Sequence, residues 1–166
     1  IEALLTLSRI DAGVLQLEKK EVDIFTLLEL SAEGVDEIIR ARKIRVDIPN
    51  HPDITFQGDM EWSMEAFSNL IKNCAEHTPE GGRIIMDYTC NPLYTQIMIQ
   101  DTGAGFASEE LPHVFERFYR GKDAGENGIG IGLSLAKSLI EMQNGFLTAQ
   151  NLPEGGACFT VRFYHH

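Results

Sequence analysis

Asn69-Leu70-Ile71-Lys72-Asn73, Asp101-Thr102-Gly103-Ala104-Gly105 and Gly128-Ile129-Gly130-Ile131-Gly132-Leu133 follow one another along the chain, and their order decides how the rest is read. Two asparagines four residues apart share one face of a helix. An acid that follows the apolar run Ile97-Met98-Ile99 and precedes a glycine pair marks the end of a strand. The second glycine run leads into Leu133-Ser134-Leu135-Ala136, a good helix start, so backbone N–H groups and the helix dipole would face an anion placed there. A lone Gly-x-Gly is usually a turn in which glycine adopts positive φ without steric cost. The ordered set instead describes a scaffold for a polyphosphate and its metal.

The flanking sequence supplies the elements. Asp59 is a plausible N-cap for the helix that carries the asparagines, with Trp62, Ala66, Phe67, Leu70, Ile71 and Cys74 turned inward, and Thr78-Pro79-Glu80-Gly81-Gly82 ends it. Arg83 to Cys90 and Tyr94 to Gln100, around Asn91-Pro92, predict an antiparallel hairpin feeding Asp101. Residues 103–130 have little periodicity and many glycines, which predicts a long mobile loop of the functional kind. A helix over Ile131–Gln143 and strands near Phe146–Asn151 and Ala157–Tyr164 follow. Upstream, Leu4, Leu7, Ile10, Val14 and Leu17 predict a helix from Ile1 to about Lys19 whose narrow stripe calls for a partner helix. A short strand at Val22-Asp23-Ile24, a helix from about Phe25 to Arg42, and strands at Ile44–Ile48 and Ile54–Gln57 complete the reading. This mixture predicts an α+β fold, a two-layer α/β sandwich whose mainly antiparallel sheet is covered on one face by helices.

With 166 residues the chain suits one full core, so one domain over residues 21–164 with an appendage over residues 1–20 is expected. Apolar residues at 43% and charged ones at 23% give the balance of a soluble globular protein. A formal net charge of −11 excludes a general affinity for nucleic acid, which needs a basic face. Cys74, Cys90 and Cys158 lack metal-ligand spacing and are odd in number, which argues against a disulfide framework and for a reducing compartment. No apolar run reaches the about 18 residues of a spanning helix, and no leader pattern is present. The chain starts inside a helical pattern and closes on His165-His166, read as an excised piece with a tag remnant over residues 165–166.

Asparagine inside a helix competes with the backbone for hydrogen bonds, so two at this spacing invite an explanation. Hard cations such as Mg²⁺ take oxygen ligands and are commonly completed by substrate phosphates; Asn73 would be the direct ligand and Asn69 its helper. Solvated or capping amides are the alternative. A half-buried Asp101 needs a donor, which the exocyclic amine of adenine provides, unless the carboxylate bonds to its own turn. Gly103 and Gly105 let the backbone pass close to the base. Gly128, Gly130, Gly132 and Leu133 would cradle phosphate, or form a simple flexible linker. In Phe115-Glu116-Arg117-Phe118-Tyr119-Arg120, Arg117 and Arg120 offer forked donors to phosphate oxygens, Phe118 and Tyr119 can anchor the loop, and Phe115 suits packing. His77 reads as a stacking or capping group rather than a phospho-acceptor or metal ligand.

These motifs, over nearly the whole chain, resemble the catalytic ATP-binding domain of bacterial sensor histidine kinases, with the Bergerat-type sandwich. Asn69 to Thr78 is similar to that family's N box, Asp101 to Phe106 to its first glycine box, Phe115 to Arg120 to its F box and Gly128 to Leu133 to its second glycine box. The resemblance implies ATP under a flexible lid, Mg²⁺ on Asn73, the adenine amine on Asp101, Arg120 near the γ-phosphate and His77 beside the base; a phosphate-side cation, absent at Glu76, would come from Lys72, Arg117, Arg120 or Lys122, unless Glu76 points away. Leu7 to Gly13 resembles the end of the second helix of the dimerisation and phospho-acceptor domain, whose histidine would lie upstream. It further implies γ-phosphoryl transfer from Mg-ATP to that histidine in two-component signalling, a homodimeric parent, a response regulator as partner, and a cytoplasmic domain of a protein in the bacterial inner membrane. Glu76 departs from the pattern, since family members often have lysine or arginine there. Two rival readings share the fold: clamp ATPases such as gyrase and the Hsp90 chaperones, which place a glutamate where this chain has Asn69, and serine kinases of the anti-sigma type. A module that binds nucleotide without transferring it is the third.

Overall fold

The computed structural model describes residues 2–119 and 130–165. The chain runs α1 (Glu2–Asp11), β1 (Lys20–Asp23), α2 (Ile24–Glu33), α3 (Asp36–Ala41), β2 (Arg45–Asp47), β3 (Thr55–Gly58) and α4 (Met60–His77). It continues through β4 (Arg83–Cys90), β5 (Tyr94–Asp101), a 3₁₀ turn (Leu111–His113), α5 (Gly132–Glu141), β6 (Gly145–Asn151) and β7 (Ala157–Tyr164). The main sheet has the order β2-β4-β5-β7-β6, parallel only between β2 and β4, and β1 pairs with β3 in a separate two-stranded sheet. One face of the main sheet carries α4 and α5, as the α+β reading expects.

Alternation along β5 shows how the two layers meet. Thr95, Ile97, Ile99 and Asp101 are buried while Tyr94, Gln96, Met98 and Gln100 are only partly so, as successive side chains of a strand point to opposite faces. The buried set meets Phe67, Leu70, Ile71 and Cys74 of α4 and Leu135, Leu139 and Ile140 of α5 in a continuous core. Asp101 is therefore the last residue of a buried stripe, placed on the helix-covered face by register.

Two predicted helices are shorter than expected. The first stops at Asp11 instead of about Lys19, because Gly13 adopts φ +71° and the amides of Gly13 and Val14 bond back to the carbonyls of Ile10 and Arg9, the Schellman arrangement that ends helices at a left-handed glycine. Residues 14–19 then run without regular structure, and Leu15 enters the core. The helix expected from Phe25 to Arg42 is two helices. Ser68 of α4 donates its hydroxyl to the Ser31 carbonyl, and the Val35 amide turns to Ala32 instead of continuing the ladder.

Candidate nucleotide site

Helix α4 is the spine of the site. Asp59 caps it, its Oδ1 accepting from the Trp62 amide at 3.0 Å. At its other end the Thr78 hydroxyl donates to the Cys74 carbonyl, and Arg42 donates from Nε and Nη2 to the Thr78 carbonyl at 3.1 and 2.7 Å. Three positions along the helix, one of them Asn69 itself, meet the two glycine motifs. At Asn69, the side-chain Oδ1 lies 3.6 Å from where a Cβ on Gly132 would stand. At Cys74, the thiol faces Asp101. At His77, the carbonyl is so close to Gly103 that a Cβ there would lie 2.3 Å from it. Positions 69 and 77 are about 12 Å apart along the helix axis.

Asn69 and Asn73 are partly buried, and neither side-chain amide has a hydrogen-bond partner within the described structure. Lys72, Glu76 and His77 are exposed. The His77 ring lies 6.3 Å from that of Phe106.

Asp101 is 4% exposed, and its Oδ1 accepts from the amides of Gly103 at 2.9 Å and Ala157 at 3.2 Å. The carboxylate thus caps its own turn and ties β5 to β7. Burial, followed by the neighbouring Asp101 carboxylate, pushes the Cys74 thiol well above the usual cysteine range, so it stays protonated beside the acid. Gly105, at φ +79°, sits under Asn151, whose side chain accepts from the Phe106 amide at 2.8 Å and donates to the Phe106 carbonyl at 2.7 Å.

Phe118 is held in the left-handed region at φ +65° and is 62% exposed, and its amide donates to the Gly130 carbonyl at 2.7 Å. The aromatic-arginine segment and the second glycine segment are thereby joined. Gly130 has no room for a Cβ, which would lie 2.7 Å from the Phe118 backbone. Phe115 packs its ring 6.2 Å from Phe159, and Tyr119 stands 5.3 Å from His113. Arg117 turns to α1 and forms a two-pronged ion pair with Asp11, both N···O distances 2.7 Å. Leu133 is partly buried against the core and Gly132 is exposed. Arg120 and Gly128 lie outside the described residues, as does the part of the expected loop over residues 120–129.

The sequence reading missed Asn151 and Gln143. Asn151 acquires its role only when β6 and β7 pair and bring it under residue 105, which no local pattern signals.

A family model described as "Histidine kinase-, DNA gyrase B-, and HSP90-like ATPase" matches residues 58–165. The chain belongs to this family. Within the histidine kinase-, gyrase- and HSP90-like ATPases, it is 29% identical over 164 residues to the signal transduction histidine-protein kinase BaeS of Escherichia coli K12, covering 97% of this chain and 35% of BaeS. It thus spans about a third of that relative. The mycobacterial sensor histidine kinase MprB structure is 25% identical with a TM-score of 0.74, covering 87% of this chain and 97% of that one. Full-length ShkA, solved in complex with AMPPNP, shares the fold at TM-score 0.82 and 22% identity, over 98% of this chain and 35% of that one. Among the described residues no helix is long and apolar enough to cross a membrane.

Proposed function

We propose that this chain is the ATP-binding catalytic domain of a sensor histidine kinase. In this reading it delivers the γ-phosphoryl group of Mg-ATP to a histidine on a dimerisation and phospho-acceptor domain. The observation that carries the reading is the pair of unpartnered, partly buried amides of Asn69 and Asn73, set between the Asp101 turn and the opening of α5. Asp101 would accept from the adenine amine, Gly103 and Gly105 would let the base lie against the backbone, and Gly132 would present free amides to phosphate. Asn73, helped by Asn69, supplies the hard oxygen donors Mg²⁺ prefers, and no cluster of three His, Cys, Asp or Glu among the described residues offers a competing metal site. Mg²⁺ held there would neutralise charge on the phosphate oxygens. An imidazole nitrogen of the acceptor attacks the γ-phosphorus as the bond to the bridging oxygen breaks and ADP leaves; the protein's share is positioning and charge stabilisation. Arg117, Arg120, Phe118 and Tyr119 belong to the segment that would close over the phosphates.

Helix α1 is assigned to the end of the acceptor-domain helix, and residues 12–19 join it to a catalytic domain that begins at β1, one residue before the expected boundary at 21, because Lys20 pairs with Gly58, and that runs through β7. The partners are the chain's own acceptor domain, in a homodimeric parent, and a response regulator; the parent sits in the bacterial inner membrane with this domain in the cytoplasm. The position that carries a glutamate in clamp ATPases is Asn69, which cannot act as a base toward water, so ATP turnover is slow.

The test is autophosphorylation of a longer chain that includes the histidine-bearing helix, with γ-labelled ATP and Mg²⁺. Acid-labile label on that helix, lost in Asn73→Asp, is the expected result. Nucleotide binding without label would leave a binding module, and rapid phosphate release without label would make it an ATPase.

A further inference from the structure

At the end of α4 and α5 remote from Gly132, a buried polar cluster joins three parts of the chain. Gln143, just beyond α5 and 2% exposed, uses both ends of its side-chain amide. Its Oε1 accepts from the Asp59 amide at 2.7 Å and from the Ser63 hydroxyl at 3.0 Å, and its Nε2 donates to the Leu139 carbonyl at 3.0 Å. Asp59, 7% exposed, divides its carboxylate: Oδ1 caps α4 through Trp62, and Oδ2 accepts from the Glu18 amide at 2.7 Å. Gly58 makes room for the cluster, since a Cβ there would stand 2.5 Å from Gln143 Oε1.

Among the described residues, Gln143 makes the only hydrogen bonds that tie the end of α5 to the start of α4; apart from the approach of Asn69 to Gly132, the buried residues that these helices share are mainly apolar. Apolar contact is non-directional and allows small sliding, whereas hydrogen bonds at 2.7–3.0 Å fix a register. Gln143 meets α4 at Ser63 and Gly132 meets it at Asn69, so the cluster lies about 9 Å along α4 from the Asn69 amide. A slip at Gln143 becomes a change in the Asn69 to Gly132 spacing.

We propose that Gln143 and Asp59 are positioning residues for the nucleotide site. They set the register of α5 on α4, and through the Glu18 amide they tie that register to the segment joining α1 to β1. The proposal rests on the nucleotide reading above. It concerns how the site is held, not what touches the ligand.

The test uses the full chain with Gln143→Met, which keeps bulk and removes the amide, and Asp59→Asn, which keeps a cap acceptor and loses the second one. Amide resonances of Asn69 and Gly132 are recorded without nucleotide, affinity for a non-hydrolysable ATP analogue is measured well below each melting temperature, and hydrogen exchange is followed at Glu18. Both resonances should move in the free protein of both variants, and affinity should fall about fivefold or more. Glu18 exchange should quicken in Asp59→Asn. If Gln143→Met does not fold, Ser63→Ala, which removes one donor to Oε1, should give a smaller shift of the same sign. A lower melting temperature with Asn69, Gly132 and affinity unchanged would overturn the proposal. If the wild type binds no nucleotide, the nucleotide reading fails, and the free-protein shifts still decide the register claim.

Discussion

Asp101→Asn separates the two jobs of the buried acid. Its Oδ1 holds the amides of Gly103 at 2.9 Å and Ala157 at 3.2 Å, and an asparagine carbonyl can accept both. The turn and the β5–β7 tie should survive, with a small change in melting temperature. The other oxygen becomes an amide nitrogen, which cannot accept from an exocyclic amine and opposes it donor to donor. Loss of one hydrogen bond to a charged group is worth about 1.5–3 kcal/mol. That predicts an affinity for an ATP analogue roughly 10- to 150-fold weaker. Isothermal titration calorimetry measures the affinity and scanning calorimetry the fold. Asp101→Ala is the contrasting variant, since it orphans the buried Ala157 amide at about 1–3 kcal/mol and the part-buried Gly103 amide as well, and it should destabilise more than Asp101→Asn. Wild-type affinity in a well-folded Asp101→Asn protein would refute the adenine role and leave Asp101 as a turn cap alone.

Three further outcomes follow from the same geometry. Gly132→Ala meets only ordinary contact with Asn69 at 3.6 Å, so thermal stability should hold or rise slightly while affinity for the ATP analogue drops, because the methyl stands before the phosphate-facing amides. Glu76→Lys, on the exposed side of α4, should alter stability by less than about 0.5 kcal/mol. In an autophosphorylation assay of the longer chain it should leave transfer within about twofold; a large gain would mean that the native site is a degenerate binding module. Hydrogen bonding from Arg117 holds the Asp11 carboxyl below the usual aspartate value, about 3.9. Since the folded value is the lower one, the pair's contribution is complete above that range and is lost as pH falls through the folded value. An NMR titration of Asp11 should show this low midpoint, and Arg117→Gln should return it to the ordinary range.

Much of this molecule is legible in sequence because its signals are local. Asp59 reads as a cap and is one, the hairpin around Asn91-Pro92 runs where alternation places it, and Asp101 falls at a strand end. Sequence and structure part where a local signal is masked by a longer pattern or the deciding contact is distant. Gly13 ends α1 by a left-handed turn that an apolar stripe continuing to Leu17 conceals. Ser68, 37 residues away, takes the Ser31 carbonyl at the break between α2 and α3. Arg117, read as a forked donor, pairs in this arrangement with Asp11, 106 residues earlier in the chain, a partner that no local pattern signals. Asn151 and Gln143 matter only through tertiary neighbours, so their residue types alone carry no sign of it.

The most direct test of the central claim is calorimetric titration of this chain with a non-hydrolysable ATP analogue, with and without Mg²⁺, followed by amide shift mapping of the complex. The account predicts magnesium-dependent binding, with shifts concentrated at Asn69, Asn73, Asp101, Gly103 and Gly132. Absence of binding, or binding that ignores Mg²⁺ and leaves those residues unmoved, would contradict it.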